Sequence, residues 1–115
     1  MPSPTSPSTG HLSIAGKEAG DVRTLRLSGE LDMASGPALY ARVSPLIYKA
    51  REVVVDLSGL TFMDSSGLYL LLRLRTVCEE RGCRLLLASP SRQVRRVLEV
   101  TGLSPTMRKQ GLLAE

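Results

Sequence analysis

The stretch Leu57–Leu72, LSGLTFMDSSGLYLLL, decides how this chain is read. It follows Val53-Val54-Val55-Asp56, a β-branched run that reads as a buried parallel strand. It passes into a segment that is apolar almost all the way round, which reads as a helix covered on several sides. Between the two stands Asp64-Ser65-Ser66-Gly67, a small polar turn with two hydroxyls beside a carboxylate. Such residues suit a helix start, because they bring an oxygen for the first free amides and little bulk. The spacing predicts a helix from about Ser66 to Arg81, ended by Gly82. Ser65 or Ser66 then stands at its N-terminus; Ser66 is expected to cap, leaving the Ser65 hydroxyl pointed outward.

Upstream, Leu12 and Ile14 alternate within 11–15, and Leu25 and Leu27 alternate within 22–28. With the glycine-containing loop 16–21 between them, they read as a β-hairpin. Gly29-Glu30-Leu31-Asp32 turns the chain into a first helix, with Asp32 or Ser35 as its cap and Pro37 in its first turn. Leu39, Val43, Leu46 and Ile47 share one face of that helix, and Pro45 predicts a kink or an early stop near Ser44. A buried strand over 52–57 follows. Downstream, 84–88 reads as a second buried strand. Ser89-Pro90 opens a third helix with Val94, Val97 and Leu98 inward, Gly102 and Leu103 form its C-terminal cap, and 106–108 is a candidate edge strand. On the second helix, Tyr69, Arg73, Thr76 and Glu80 form a narrow polar stripe.

At 115 residues the chain is expected to be one domain, long enough to fold without disulfide or metal. Hydrophobic residues make up 43% but aromatics only 3%, so the core must be aliphatic. Residues 1–10 are Pro/Ser/Thr-rich and read as a disordered tail; 11–108 forms the domain and 109–115 a short tail. No long apolar run or signal pattern is present, so no membrane span and a cytoplasmic location are the expectations. Residues 1–72 carry six Lys/Arg against seven Asp/Glu, and residues 73–115 nine against four. That basic half fits solvated helix faces, an acidic partner or a nucleic acid; without an aromatic platform, direct DNA binding is not expected. Cys78 and Cys83 lack further Cys or His partners and read as buried free thiols, with no metal or cofactor. The one histidine, His11, borders the tail, so no Ser–His–Asp arrangement is available and no enzyme is expected.

Asp56-Leu57 followed by Leu60-Thr61-Phe62-Met63-Asp64-Ser65-Ser66-Gly67-Leu68 resembles the signature of the STAS family, of sulfate transporters and anti-sigma-factor antagonists. Gly29-Glu30-Leu31-Asp32 upstream and Thr101-Gly102-Leu103 downstream match it too, in order and at its spacing. The resemblance implies an α/β fold: a single STAS-type domain with a mixed, mainly parallel sheet of about four to five sequential strands and helices stacked on one face. It implies an anti-sigma-factor antagonist that binds an anti-sigma factor with serine kinase activity, so releasing a sigma factor. Phosphorylation by that kinase at Ser65, with Ser66 as alternative acceptor, switches binding off, and a serine phosphatase restores it. A scaffold or ligand-sensing domain that is never phosphorylated is the alternative. Asp32, Met63, Asp64, Ser65, Ser66, Gly67, Tyr69 and Arg73 are the expected partner-binding residues. For Asp32, Met63, Tyr69 and Arg73 a purely structural or solvated role stands beside that one. The chain is expected to be a monomer or weak dimer.

Overall fold

The computed structural model describes residues 12–100 and 113–114. Among the described residues five strands form one sheet in sequential order: β1 (Leu12–Ala19), β2 (Val22–Leu31), β3 (Glu52–Met63), β4 (Arg84–Ala88) and β5 (Leu113–Ala114). β1 and β2 are antiparallel; every later pairing is parallel. The described residues also form three helices between the strands, α1 (Gly36–Ile47), α2 (Ser65–Glu80) and α3 (Arg92–Val100). The expected α/β class, mixed sheet and sequential order are all present.

The register explains the core. Ile14 pairs with Leu27, Leu25 with Val55, and Val55 with Leu87, so these side chains share one face of the sheet. That face is buried under the helices, whose Leu39, Val43, Leu71, Leu74, Val94 and Leu98 close the same cluster. On the opposite face Ser13, Ala15 and Arg26 are exposed, while Val54 and Leu86 are half-buried. The low aromatic content is thus matched by an aliphatic interior. Cys78 and Cys83 are free and buried within it. Burial, the neighbouring Cys83 and Glu79 together push the Cys78 thiol from 9.0 up to about 12.

Several boundaries differ from the pattern reading. The hairpin is longer than expected: β1 runs to Ala19 and only Gly20-Asp21 turns, with Gly20 at φ 65°. Its exposed end still pairs in register, Glu18 with Arg23 and Ala19 with Val22. Helix α1 does not stop near Ser44 but continues to Ile47, with Pro45 inside. There the Ser44 hydroxyl donates to the Tyr40 carbonyl at 2.9 Å. Helix α3 starts later than Ser89-Pro90. Ser89 has φ 53°, a left-handed conformation, and the Ser91 hydroxyl accepts from the Val94 amide at 3.3 Å. Gly102-Leu103 and the candidate strand 106–108 lie outside the described residues.

The largest difference is in β3, expected to end at Leu57 but extending to Met63. Its register against β2 slips twice, between Arg26 and Ser28 and between Gly29 and Glu30, each time with one extra residue on β3. Buried positions therefore recur as Leu57, Leu60 and Met63, three apart rather than two. Asp56 holds the first slip by accepting the Ser58 amide at 2.9 Å. At Gly59 a Cβ would come within 2.6 Å of the Leu27 carbonyl oxygen, so glycine permits the close approach of the two strands. The Thr61 hydroxyl donates to the Gly29 carbonyl at 3.1 Å across the second slip. This extension carries β3 to the start of α2.

Candidate partner-docking site

Asp64 is the residue that joins β3 to α2. Its backbone is extended, φ −104° and ψ −174°, and its carboxylate accepts the Gly67 amide at 3.1 Å. It is therefore the helix cap, which corrects the expectation that Ser66 would be. The reason is position: the helix begins at Ser65, so Asp64 is the last extended residue and reaches the third helical amide. Both serines fall inside the first turn. Ser65 is exposed and Ser66 half-buried. The Ser65 hydroxyl thus stands outward, as expected, at the positive end of a helix of 16 residues.

The turn rests on a tight floor. A Cβ on Gly67 would lie 2.7 Å from the Leu31 carbonyl oxygen and 2.9 Å from the Met63 Cγ. Gly67 and Met63 are both buried, so they support the turn from beneath and are not available as surface contacts. For Met63 this burial fits the structural role that stood beside partner contact in the sequence reading. In Met63's stead the surface carries Phe62, 46% exposed. Two adjacent apolar residues at a strand end cannot both face inward. The second slip in β3 decides the pair, sending Phe62 out and Met63 in.

Beside the turn, the loop before α1 is organised by Asp32. Its Oδ1 accepts from the Ala34 and Ser35 amides, both at 3.0 Å, and lies 3.1 Å from the Ser35 hydroxyl. The buried Ser35 hydroxyl also lies 2.9 Å from the Glu30 carbonyl, and the Gly36 amide donates to the Asp32 carbonyl at 2.9 Å. Asp32 and Ser35 share the helix entry: the Asp32 carboxylate holds the Ala34 and Ser35 amides, and the Ser35 hydroxyl accepts from the Asp32 amide at 3.0 Å. The loop holds Met33 outward, 77% exposed. Neither Met33 nor Phe62 was among the residues singled out in the sequence. Tyr69, one turn beyond Ser65, is 65% exposed, and Arg73, two turns beyond, is exposed. Both occupy the surface stripe expected for them.

Between α1 and α2 runs an open groove of about 580 Å³. Asp32, Met33, Tyr40, Ser66, Tyr69 and Arg73 are among its lining residues. The Arg73 guanidinium stands over the Tyr40 ring, 5.8 Å from its centre. So one rim of the molecule combines a free hydroxyl, three exposed apolar or aromatic side chains, a carboxylate-held loop and a groove. Among the described residues no group of three or more His, Cys, Asp or Glu is placed to hold a metal ion. Nor is any described helix long and apolar enough to cross a membrane.

Known proteins share this architecture. The family described as "Mlab, STAS domain" matches residues 12–112. A protein named anti-sigma F factor antagonist, from Lysinibacillus sphaericus, is 36% identical over 85 residues, covering 72% of this chain and 73% of that protein. The anti-sigma-factor antagonist SpoIIAA in its unphosphorylated form superposes with a TM-score of 0.72 at 28% identity, covering 89% of this chain and 86% of that one. The phosphorylated form of SpoIIAA from Bacillus gives 0.67 at 27% identity, over 89% of each chain. A sequential mixed sheet with Asp64-Ser65-Ser66-Gly67 at the junction of its third strand and second helix, matched over this length, places the chain in the STAS-domain family.

Proposed function

We propose that this protein is an anti-sigma-factor antagonist whose docking surface is the rim around Ser65, and that phosphorylation of Ser65 by the anti-sigma factor ends the contact. The observation that carries this reading is the exposed Ser65 in the first turn of α2, with Tyr69 exposed one turn further on and Met33 and Phe62 exposed on the segments that lead into α1 and α2. Named relatives are anti-sigma-factor antagonists, and one of them has been solved both with and without phosphate.

The chemistry is phosphoryl transfer. The Ser65 Oγ attacks the γ-phosphorus of ATP held by the kinase. A new Oγ–P bond forms, the bond to the β-phosphate oxygen breaks, and ADP leaves. The hydroxyl proton passes to a base on the kinase, because the adjacent Asp64 carboxylate is engaged with the Gly67 amide. The product carries about −1.5 to −2 additional charge. The helix N-terminus tolerates that charge in the free protein. A bound partner would have to bury it next to Asp64 and Asp32, and burying like charges together costs several kcal/mol. Modification therefore weakens the complex without unfolding the domain. A serine phosphatase restores the hydroxyl: water cleaves the Oγ–P bond and inorganic phosphate leaves. The protein acts as a monomer or weak dimer without touching DNA.

Incubation with the cognate anti-sigma kinase and ATP, followed by intact-mass measurement, should show the gain of one phosphate, abolished in Ser65→Ala. In a titration, Ser65→Asp should lose the anti-sigma factor while Ser65→Ala keeps it. Equal affinity of all three forms would overturn the reading.

A further inference from the structure

The groove between α1 and α2 continues from the serine turn, and its chemistry says what fills it. Ser66 at one end and Arg73 at the other both line it, seven residues apart on α2, or about 10 Å along the helix axis. Its walls between them are mainly apolar: Pro37, Tyr40 and Ala41 from α1, Tyr69 and Leu70 from α2. The volume of about 580 Å³ falls within the range of about 300–1,000 Å³ typical of sites that receive a ligand or an anchoring side chain. At the far end Arg73 meets the Tyr40 ring but, among the described residues, no carboxylate within ion-pair range. A cation fixed over an aromatic ring at the end of an apolar slot suits a chain segment that is greasy first and acidic next.

Resting on the function proposed above, we infer that this groove receives an apolar side chain of the anti-sigma factor, followed by an acidic residue that pairs with Arg73. The occupant is a protein segment because the groove is open along its length and shares Ser66 with the turn the partner covers. A partner seated over Ser65 overlies the groove mouth. Burying the exposed Tyr69 ring there gives the apolar anchor that protein interfaces concentrate their affinity in. The groove then selects which anti-sigma factor binds, and the serine decides when.

Ala41 is exposed on α1 and lines the groove, so Ala41→Trp fills it without disturbing the interior. In calorimetric titration of the unphosphorylated protein with its anti-sigma factor, Ala41→Trp should weaken binding by at least about tenfold, the scale of losing one anchor. Arg73→Glu should also weaken it, and a charge reversal at the partner's acidic residue should restore that variant. Thermal melts of both variants check the fold, and Arg73→Glu, at an exposed site, stands if the tryptophan does not fold. Full affinity in Ala41→Trp and Arg73→Glu, alongside loss in Ser65→Asp, would overturn the groove inference and leave the serine reading intact. That result would assign the groove to a small apolar molecule or to no occupant. Full affinity in Ser65→Asp as well would overturn both.

Discussion

At the scale of single residues, three oxygen-bearing side chains in a row compete for one helix start. Asp64 takes the cap, which leaves the exposed Ser65 outside that bond. Asp64→Ala should cost about 1 kcal/mol, within the range of about 0.5–2 for a lost cap, while Asp64→Asn should retain most of it. Urea unfolding of the three proteins measures this. That a helix began at these residues was legible from composition alone. Which oxygen capped it was not, because the choice turns on where the extended backbone ends. Asp32 was legible as a helix entry, and the structure adds three bonds to its Oδ1. Met33 and Phe62 escaped notice for a related reason: exposed apolar residues in a loop or at a strand end look like core residues until register is known.

At the scale of elements, the helices were the readable part. Their inward residues recur every three or four positions, and the buried sets of α1 and α2 follow that pattern. Strand β3 was readable only to Leu57. Beyond it the buried residues are spaced by three, which is neither strand period nor a full helical face, so the segment looked like a loop. Only pairing with β2 reveals it as a strand, and pairing is not a local property. The same junction fixes α2 against the sheet. Gly67→Ala would force a methyl group into the Leu31 carbonyl and the Met63 side chain, shifting the first turn. Overpacking of this kind costs about 1–3 kcal/mol. The expected outcome is a lower melting temperature together with weaker anti-sigma binding. Gly82→Ala is the control: no atom lies within 4 Å of the added Cβ, but its φ of 75° makes the variant strained. It should lower stability and leave affinity per folded molecule unchanged.

At the scale of the whole molecule, sheet class followed from alternating strand and helix patterns, and strand order and one-face layering from the family resemblance. The aliphatic core has a chemical consequence. Cys78 and Cys83 are held neutral by burial, so each is a weaker acid folded than unfolded. A raised folded pKa gives stability that is present below the unfolded value and lost as pH rises through the folded one. Stability should therefore fall between pH 9.0 and about 12 through Cys78, and more shallowly in Cys78→Ala; urea melts across that interval test it. Thiol reagents at neutral pH should label neither cysteine until the chain unfolds. The two slips in β3 reach further still. A bulge lets consecutive residues face outward while the interior set is kept, and it sharpens the local twist. Shortening the chain by one residue at one slip would restore the regular ladder at that point, with Leu57, Leu60 and Met63 still on the inward face. Such a deletion would swing the tip of α2 relative to the sheet and disturb the floor of Leu31 and Met63 beneath Gly67. Chain length in this strand thus sets the direction in which the first turn of α2, with Ser65 on it, leaves the sheet.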